Sequence, residues 1–185
     1  MVKRDVRQHI IITASTLFYK NGYNSTGINE IISESAIAKA TLYNHFKSKE
    51  DICLAYLRYK HAKFTYDIKE FCLSKTKGKD QVLAVFDFLG LFFKEKDFNG
   101  CWCIKTVSEI PKENERIRTE IQTQKNQLID FIADLIGDNL DLSKIETETL
   151  AKQIYLLYES AVAESHLHQD QWPIDQAKGI CEKII

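Results

Sequence analysis

Two prolines and seven glycines are the only backbone breakers among 185 residues. Proline stops a helix by lacking the N–H donor and clashing with the preceding turn, and glycine weakens one through its conformational freedom. A chain this poor in both, with 44% hydrophobic residues, favours long helices that each bury an apolar face. Turn signals fall at Asn21-Gly22, around Gly78 in 75–79, at Asp97-Phe98-Asn99-Gly100, at Pro111, at Gly137-Asp138-Asn139 and before Pro173. Between them the apolar spacing is helical, as in the stripe Ile10, Ala14, Leu17 and Phe18, and again in Ile117, Ile121, Leu128, Phe131, Ile132 and Leu135. FDFLGLFF at 86–93 begins by alternating like a strand. One isolated strand has no partner in this chain, so a helix is expected. The expected fold is all-α, with about nine helices.

The stretch NSTGINEIISESAIAKATLYNHFKSKE, residues 24–50, carries the chemistry. Ile28, Ile31 and Ile32 give a short helix an apolar face, with Thr26 or Gly27 at its start. Ser35-Ala36-Ile37 is a connector, and a second short helix is expected from about Ala38 to Phe46. Leu42 and Phe46, four apart, share the inward face. Lys39, Ala40, Tyr43, Asn44 and Lys47 fall on the opposite face, polar and compact enough for a major groove. Lys39 and Thr41 are placed to address bases or flanking phosphates, and Tyr43 and His45 suit phosphate oxygens as donors. Ser48, with Asp51 three residues on, reads as the cap of the next helix. The free amides of that helix start, with Lys49, make an anion site.

The residues TASTLFYKNGYNSTGINEII and IAKATLYNHFKSKEDICLAYL resemble the tetracycline-repressor (TetR) family of bacterial one-component regulators. The resemblance implies an N-terminal three-helix head of the helix-turn-helix type on a larger helical ligand-binding and dimerisation body, with domains at 1–50 and 51–185. It implies a double-stranded DNA operator as partner, read by the second helix of the motif. Positions matching Thr26, Tyr43, His45 and Lys49 typically hold phosphates in such proteins. Four residues depart from the family pattern. Gly27 stands where Ser or Thr often caps. Ala36 stands where glycine is usual in the turn, at a cost of about 1 kcal/mol if that residue takes positive φ. Ala40 and Asn44 replace a usual glycine and a frequent aromatic on the reading face. Asn44 has the donor–acceptor pair to read an adenine, and it can equally contact a phosphate.

Charge follows the same division. Residues 1–50 carry seven Lys/Arg against four Asp/Glu, and the other 135 carry 18 against 22. That remainder holds 15 of the 20 aromatic residues. Phe86, Phe92, Trp102 and Ile104 are candidates to line an apolar effector cavity, with core filling as the alternative. In LAKQIYLLYESAVAESHLH the apolar residues run almost all the way round the helix, so it must be covered on more than one side. PIDQAKGICEKII shows a single stripe. Ile154, Leu157, Tyr158, Ala161, Ile180 and Ile184 are the expected homodimer contacts of a four-helix bundle about a two-fold axis.

Five scattered cysteines form no disulfide framework. Cys101 and Cys103 lack the further ligands a zinc site would need, and they read as structural cysteines, with a thiol sensor as the alternative. No cofactor or metal is expected. The chain has no glycine-rich phosphate loop and no nucleophile motif, so no enzyme is expected. There is no apolar run of membrane-spanning length and no leader pattern, and a cytoplasmic location without membrane contact is expected. The function expected is a ligand-responsive transcriptional regulator, a repressor binding a palindromic operator as a homodimer. A small apolar or amphipathic effector would release it. The alternative is a cysteine-based redox-sensing regulator with the same head.

Overall fold

The computed structural model describes residues 5–185. Nine helices and no strand occur among them: α1 (Val6–Asn21), α2 (Ile28–Glu34), α3 (Lys39–His45), α4 (Lys49–Leu73), α5 (Lys79–Phe93), α6 (Trp102–Glu109), α7 (Glu115–Asn139), α8 (Lys144–His168) and α9 (Trp172–Ile184). The all-α expectation holds, and the alternating stretch at 86–93 lies within α5. None of the described helices is long and apolar enough to cross a membrane.

The helices sort into two compact units. One takes in the chain up to Lys63 together with Trp102–Gln122, and the other comprises Phe64–Cys101 and Thr123–Ile185. The expected boundary at residue 50 falls inside the first unit, because α4 continues the head without a break and α6 packs there too.

In the first unit Ile10, Ala14 and Phe18 of α1, Ile31 of α2, Leu42 of α3 and Ile52, Tyr56 and Leu57 of α4 are buried together with Phe46. Phe18 meets Tyr56 and Tyr23 with ring centroids 5.5 Å apart in each case. Asp5 caps α1 by accepting the Gln8 N–H. Gly22 ends α1 at φ 94, a conformation that needs glycine.

In the second unit α8 packs most extensively on α9, and α5 touches both. Val82, Val85, Phe86 and Leu89 of α5 join Ile132, Leu135 and Ile136 of α7, Ile154 and Val162 of α8 and Ile174 and Cys181 of α9 in one core. The start of α8 is fixed by a reciprocal cap. Ser143 Oγ accepts the Glu146 N–H at 3.4 Å, and Glu146 accepts the Ser143 N–H at 2.9 Å.

Candidate nucleic-acid interface

The reading surface is built by two buried side chains and one strained turn. Leu42 (0% exposed) and Phe46 (3%) anchor α3. Opposite them Lys39, Ala40, Tyr43, Asn44, His45 and Lys47 are exposed, and Thr41 is half-buried. Between α2 and α3 the chain reverses at Ala36, which has φ 52. That is the left-handed conformation in which a Cβ costs about 1 kcal/mol relative to glycine. The turn is tied back to α2 by hydrogen bonds: Ser35 N–H and Oγ both donate to Ile31 O, Ala36 N–H donates to Ser33 O, and Ile37 N–H donates to Ile32 O.

Ser48 caps α4 as expected, its Oγ accepting the Asp51 N–H at 3.1 Å. Burial is the largest single influence on the Asp51 carboxyl and pushes it up. Hydrogen bonds from Arg116, Ser48 and the Lys47 backbone, with the charge of Arg116, together outweigh that and hold it below its usual range. Arg116, at the start of α7, bridges Asp51 at 3.1 Å and Glu50. Lys49 stands at the head of α4, half-buried. Its ammonium lies 4.4 Å over the Tyr23 ring and 3.5 Å from Asn24 O, and burial lowers its pKa. Tyr23 beneath it is pushed up to about 12 by burial, with Cys53 and Glu50 adding to the effect.

Thr26 requires a correction. It is fully buried, and its hydroxyl donates to Gly22 O at 2.8 Å. A side chain sealed at 0% exposure offers no oxygen to a phosphate; its role is to staple the α1–α2 turn. Two stabilisers of that turn carry no local sequence signal. Glu109, 85 residues further on, accepts the Asn24 N–H at 2.7 Å, and its backbone carbonyl accepts Asn24 Nδ2, also at 2.7 Å. Its carboxylate sits where residue 22 would carry a side chain, 2.5 Å from an ideal Cβ. Lys105, one turn earlier on α6, donates to Tyr19 O at 2.9 Å. Arg7 was also missed by reading the sequence alone: its guanidinium lies 5.1 Å over the Phe46 ring, beside the end of α3.

The remaining candidates divide. Phe86 (0% exposed) and half-buried Phe92 belong to the second unit, whereas Trp102 (7%) and Ile104 belong to the first. The four therefore do not form one lining within either unit, and Ile104 faces solvent. Of the six residues expected at a dimer contact, Ile154, Tyr158 and Ala161 are spent inside their own unit and have no surface left for a second copy. Leu157 is partly buried against the same core, while Ile180 and Ile184 are exposed. The exposed apolar residues of α8 and α9 include Leu156, Leu167 and Trp172, which the sequence reading did not select.

These features define an all-α protein with a helix-turn-helix head. Residues 10–56 match the family model of bacterial regulatory proteins of the TetR family, and residues 78–180 match that of the tetracyclin repressor-like C-terminal domain. The chain belongs to the TetR family. It is similar to the transcriptional repressor NemR of Escherichia coli strain K12, at 21% identity over 189 residues, covering 99% of this chain and 95% of the relative. It is also similar to the regulator QacR of Staphylococcus aureus, at 27% identity over 58% of this chain and 79% of that protein. Among solved structures, a TetR-family transcriptional regulator from Streptomyces coelicolor shares the fold with a TM-score of 0.88 at 23% identity, covering 97% of this chain and 87% of the other.

Proposed function

We propose that the protein is a ligand-responsive transcriptional repressor that binds a palindromic operator as a homodimer and is released by a small apolar or amphipathic effector. One observation carries the reading: α3 turns Lys39, Ala40, Tyr43 and Asn44 to solvent while Leu42 and Phe46 hold it from behind. A ridge of this shape, small at Ala40 and donor-rich around it, fits base edges in a major groove. Tyr43 and His45 are exposed beside it and act on phosphate oxygens. Lys49 adds its charge at the start of α4, and the Tyr23 ring holds its ammonium in place. Thr26 acts on this surface only through the turn it staples.

The dimer contact is assigned to the exposed apolar residues of α8 and α9, Leu156, Leu167, Ile180 and Ile184. Several large apolar side chains left exposed on one packed helix pair favour association. A two-fold dimer presents its two α3 helices to half-sites about 34 Å apart or a multiple of that. The effector acts in the aromatic second unit, and it shifts the equilibrium only so far as it binds the two conformations unequally.

Selection of bound DNA from a random pool tests head and symmetry together, and the expected product is an inverted repeat. An enriched sequence without dyad symmetry, or no enrichment, removes the operator reading. Light scattering on the eluting peak is expected to give twice the chain mass of 21.4 kDa. A monomer at micromolar concentration removes the dimer.

A further inference from the structure

The reading ridge ends beside a cleft that the α3 surface and the effector reading leave unused. It has a volume of about 550 Å³ and lies within the first unit, between α1, the end of α3, α4 and the start of α7. Arg7, Lys47, Arg58 and Arg116 line it, and His45 is common to the cleft and the ridge. Asp51 is the one carboxylate among its described lining residues. The opposite face of α1 shows that this charge is not general to the head. A cleft of about 580 Å³ there is lined by Asp5 and Glu34, and its His9 Nε2 is engaged with Ser35 O at 3.0 Å.

Two of the four cations are already neutralised. Arg58 pairs with Glu120 at 2.8 Å, and Arg116 bridges Glu50 and Asp51. Arg7 and Lys47 are exposed, and neither has a carboxylate partner among the described residues. Arg7 is nonetheless held in place, because its guanidinium lies 5.1 Å over Phe46, a ring only 3% exposed. A guanidinium stacked by one face keeps its N–H edge free, and that edge is the part that donates in pairs to an oxyanion. The supporting ring is also an anchor of α3. The unpaired charge and the reading helix therefore rest on one side chain.

We infer that the mouth of this cleft is a phosphate site, at which Arg7 and Lys47 together hold a backbone phosphate of the operator beyond the base pairs that α3 reads. Its place on DNA rests on the reading of α3 as the helix that enters the groove. Duplex DNA carries one charge per roughly 1.7 Å of its axis, so a cationic surface continuing past a seated reading helix meets further backbone. A phosphodiester offers two acceptor oxygens, one for the guanidinium edge and one for the ammonium. Such a contact reads no base. It lengthens the footprint, fixes the register of α3 through the shared Phe46 support, and adds to the salt dependence of binding.

The test is phosphate-ethylation interference with the full chain on the duplex recovered by selection, alongside affinities on that duplex and on one trimmed at both ends. The wild type is expected to show, in each half-site, interference at a phosphate flanking those lost in Tyr43→Ala. Arg7→Ala is expected to erase that flanking mark alone, to weaken binding about tenfold and to lower the salt slope by about two, one contact per half-site. Arg7→Lys is expected to keep most of the affinity. Trimming the flanks is expected to cost the wild type the same factor and Arg7→Ala nothing more. A loss in Arg7→Ala that is equal on long and trimmed duplexes shows a merely structural role and overturns the site. So does a wild type that binds without the flanking mark, a result that needs no variant to fold. A wild type that binds no duplex at all removes the operator reading as well. Excess pyrophosphate at constant ionic strength is expected to compete equally against wild type and Arg7→Ala. Stronger competition against the wild type assigns the cleft to a free anion and overturns the DNA contact.

Discussion

The reading head and the helical body handle polar side chains in opposite ways. Around α3, Lys39, Tyr43, Asn44 and His45 lie outward in water, and two apolar residues underneath do the holding. In the body, Lys125 and Glu159 pair at 16–17% exposure, Ser165 is fully buried, and the buried Nδ1 of His166 belongs to a ring packed against Phe98. The first arrangement costs little until DNA arrives. The second carries a standing desolvation cost, and its polar groups are held rigidly by their surroundings. A surface that leaves its polar groups open to a large, charged partner and an interior that encloses them are therefore physically distinct.

The largest expected effect lies in the body. Removing Lys125 alone strands Glu159, whose carboxyl is already pushed up by burial and by Cys101, and is expected to cost about 3 kcal/mol in urea unfolding. Replacing both with Met and Leu is expected to recover most of that loss. If Lys125→Met costs nothing, the contrast between the two regions fails. In the head, Asn44→Ala is expected to relax preference at one operator position by about 1–3 kcal/mol, measured by competition among single-base variants. Tyr43→Ala should instead weaken all sequences equally. A uniform loss for Asn44→Ala reassigns it to a phosphate.

Thr26→Val sharpens the comparison, because Thr26 is a head residue treated like a body residue. Losing the buried donor to Gly22 O is expected to cost about 1–2 kcal/mol of stability, while the operator affinity of the folded protein stays unchanged. Ala36→Gly is expected to stabilise by about 1 kcal/mol by relieving the positive φ, read as a raised urea midpoint. The smallest effect concerns pH. Asp51 is held low in the folded state, so its contribution is complete above its unfolded value, about 3.9, and is lost as pH falls through the lower folded one. Arg116→Ala is expected to flatten that acid limb.

How far each region was legible follows from the distance over which its residues interact. Leu42 and Phe46 are four apart, and Ser48 and Asp51 three apart, so helix geometry alone places them. The unusual Ala36 could be flagged only through the family resemblance, which has glycine at that place in the turn; the local residues alone said no more than that a connector falls there. Thr26 could not be placed, since its neighbours said only that a helix starts there. Whether its hydroxyl faces out or back to Gly22 depends on packing. The Lys125–Glu159 pair and the Asn24–Glu109 contact join residues 34 and 85 positions apart, with no periodicity to connect them. For α8, apolar residues nearly all round its circumference said that it is covered but not by what. Packing assigned Ile154, Tyr158 and Ala161 to its own core.

The contact of Gly22 with Glu109 imposes a one-sided constraint on how this sequence can drift. At φ 94, position 22 requires glycine whatever stands opposite, so shortening Glu109 to serine would make room for a side chain that the backbone still refuses. In the other direction, any side chain at 22 evicts the carboxylate from Asn24. Position 109 is thus free to change only by giving up its carboxylate's bond to the Asn24 N–H, while its backbone carbonyl keeps Asn24 Nδ2, and position 22 is not free to change at all.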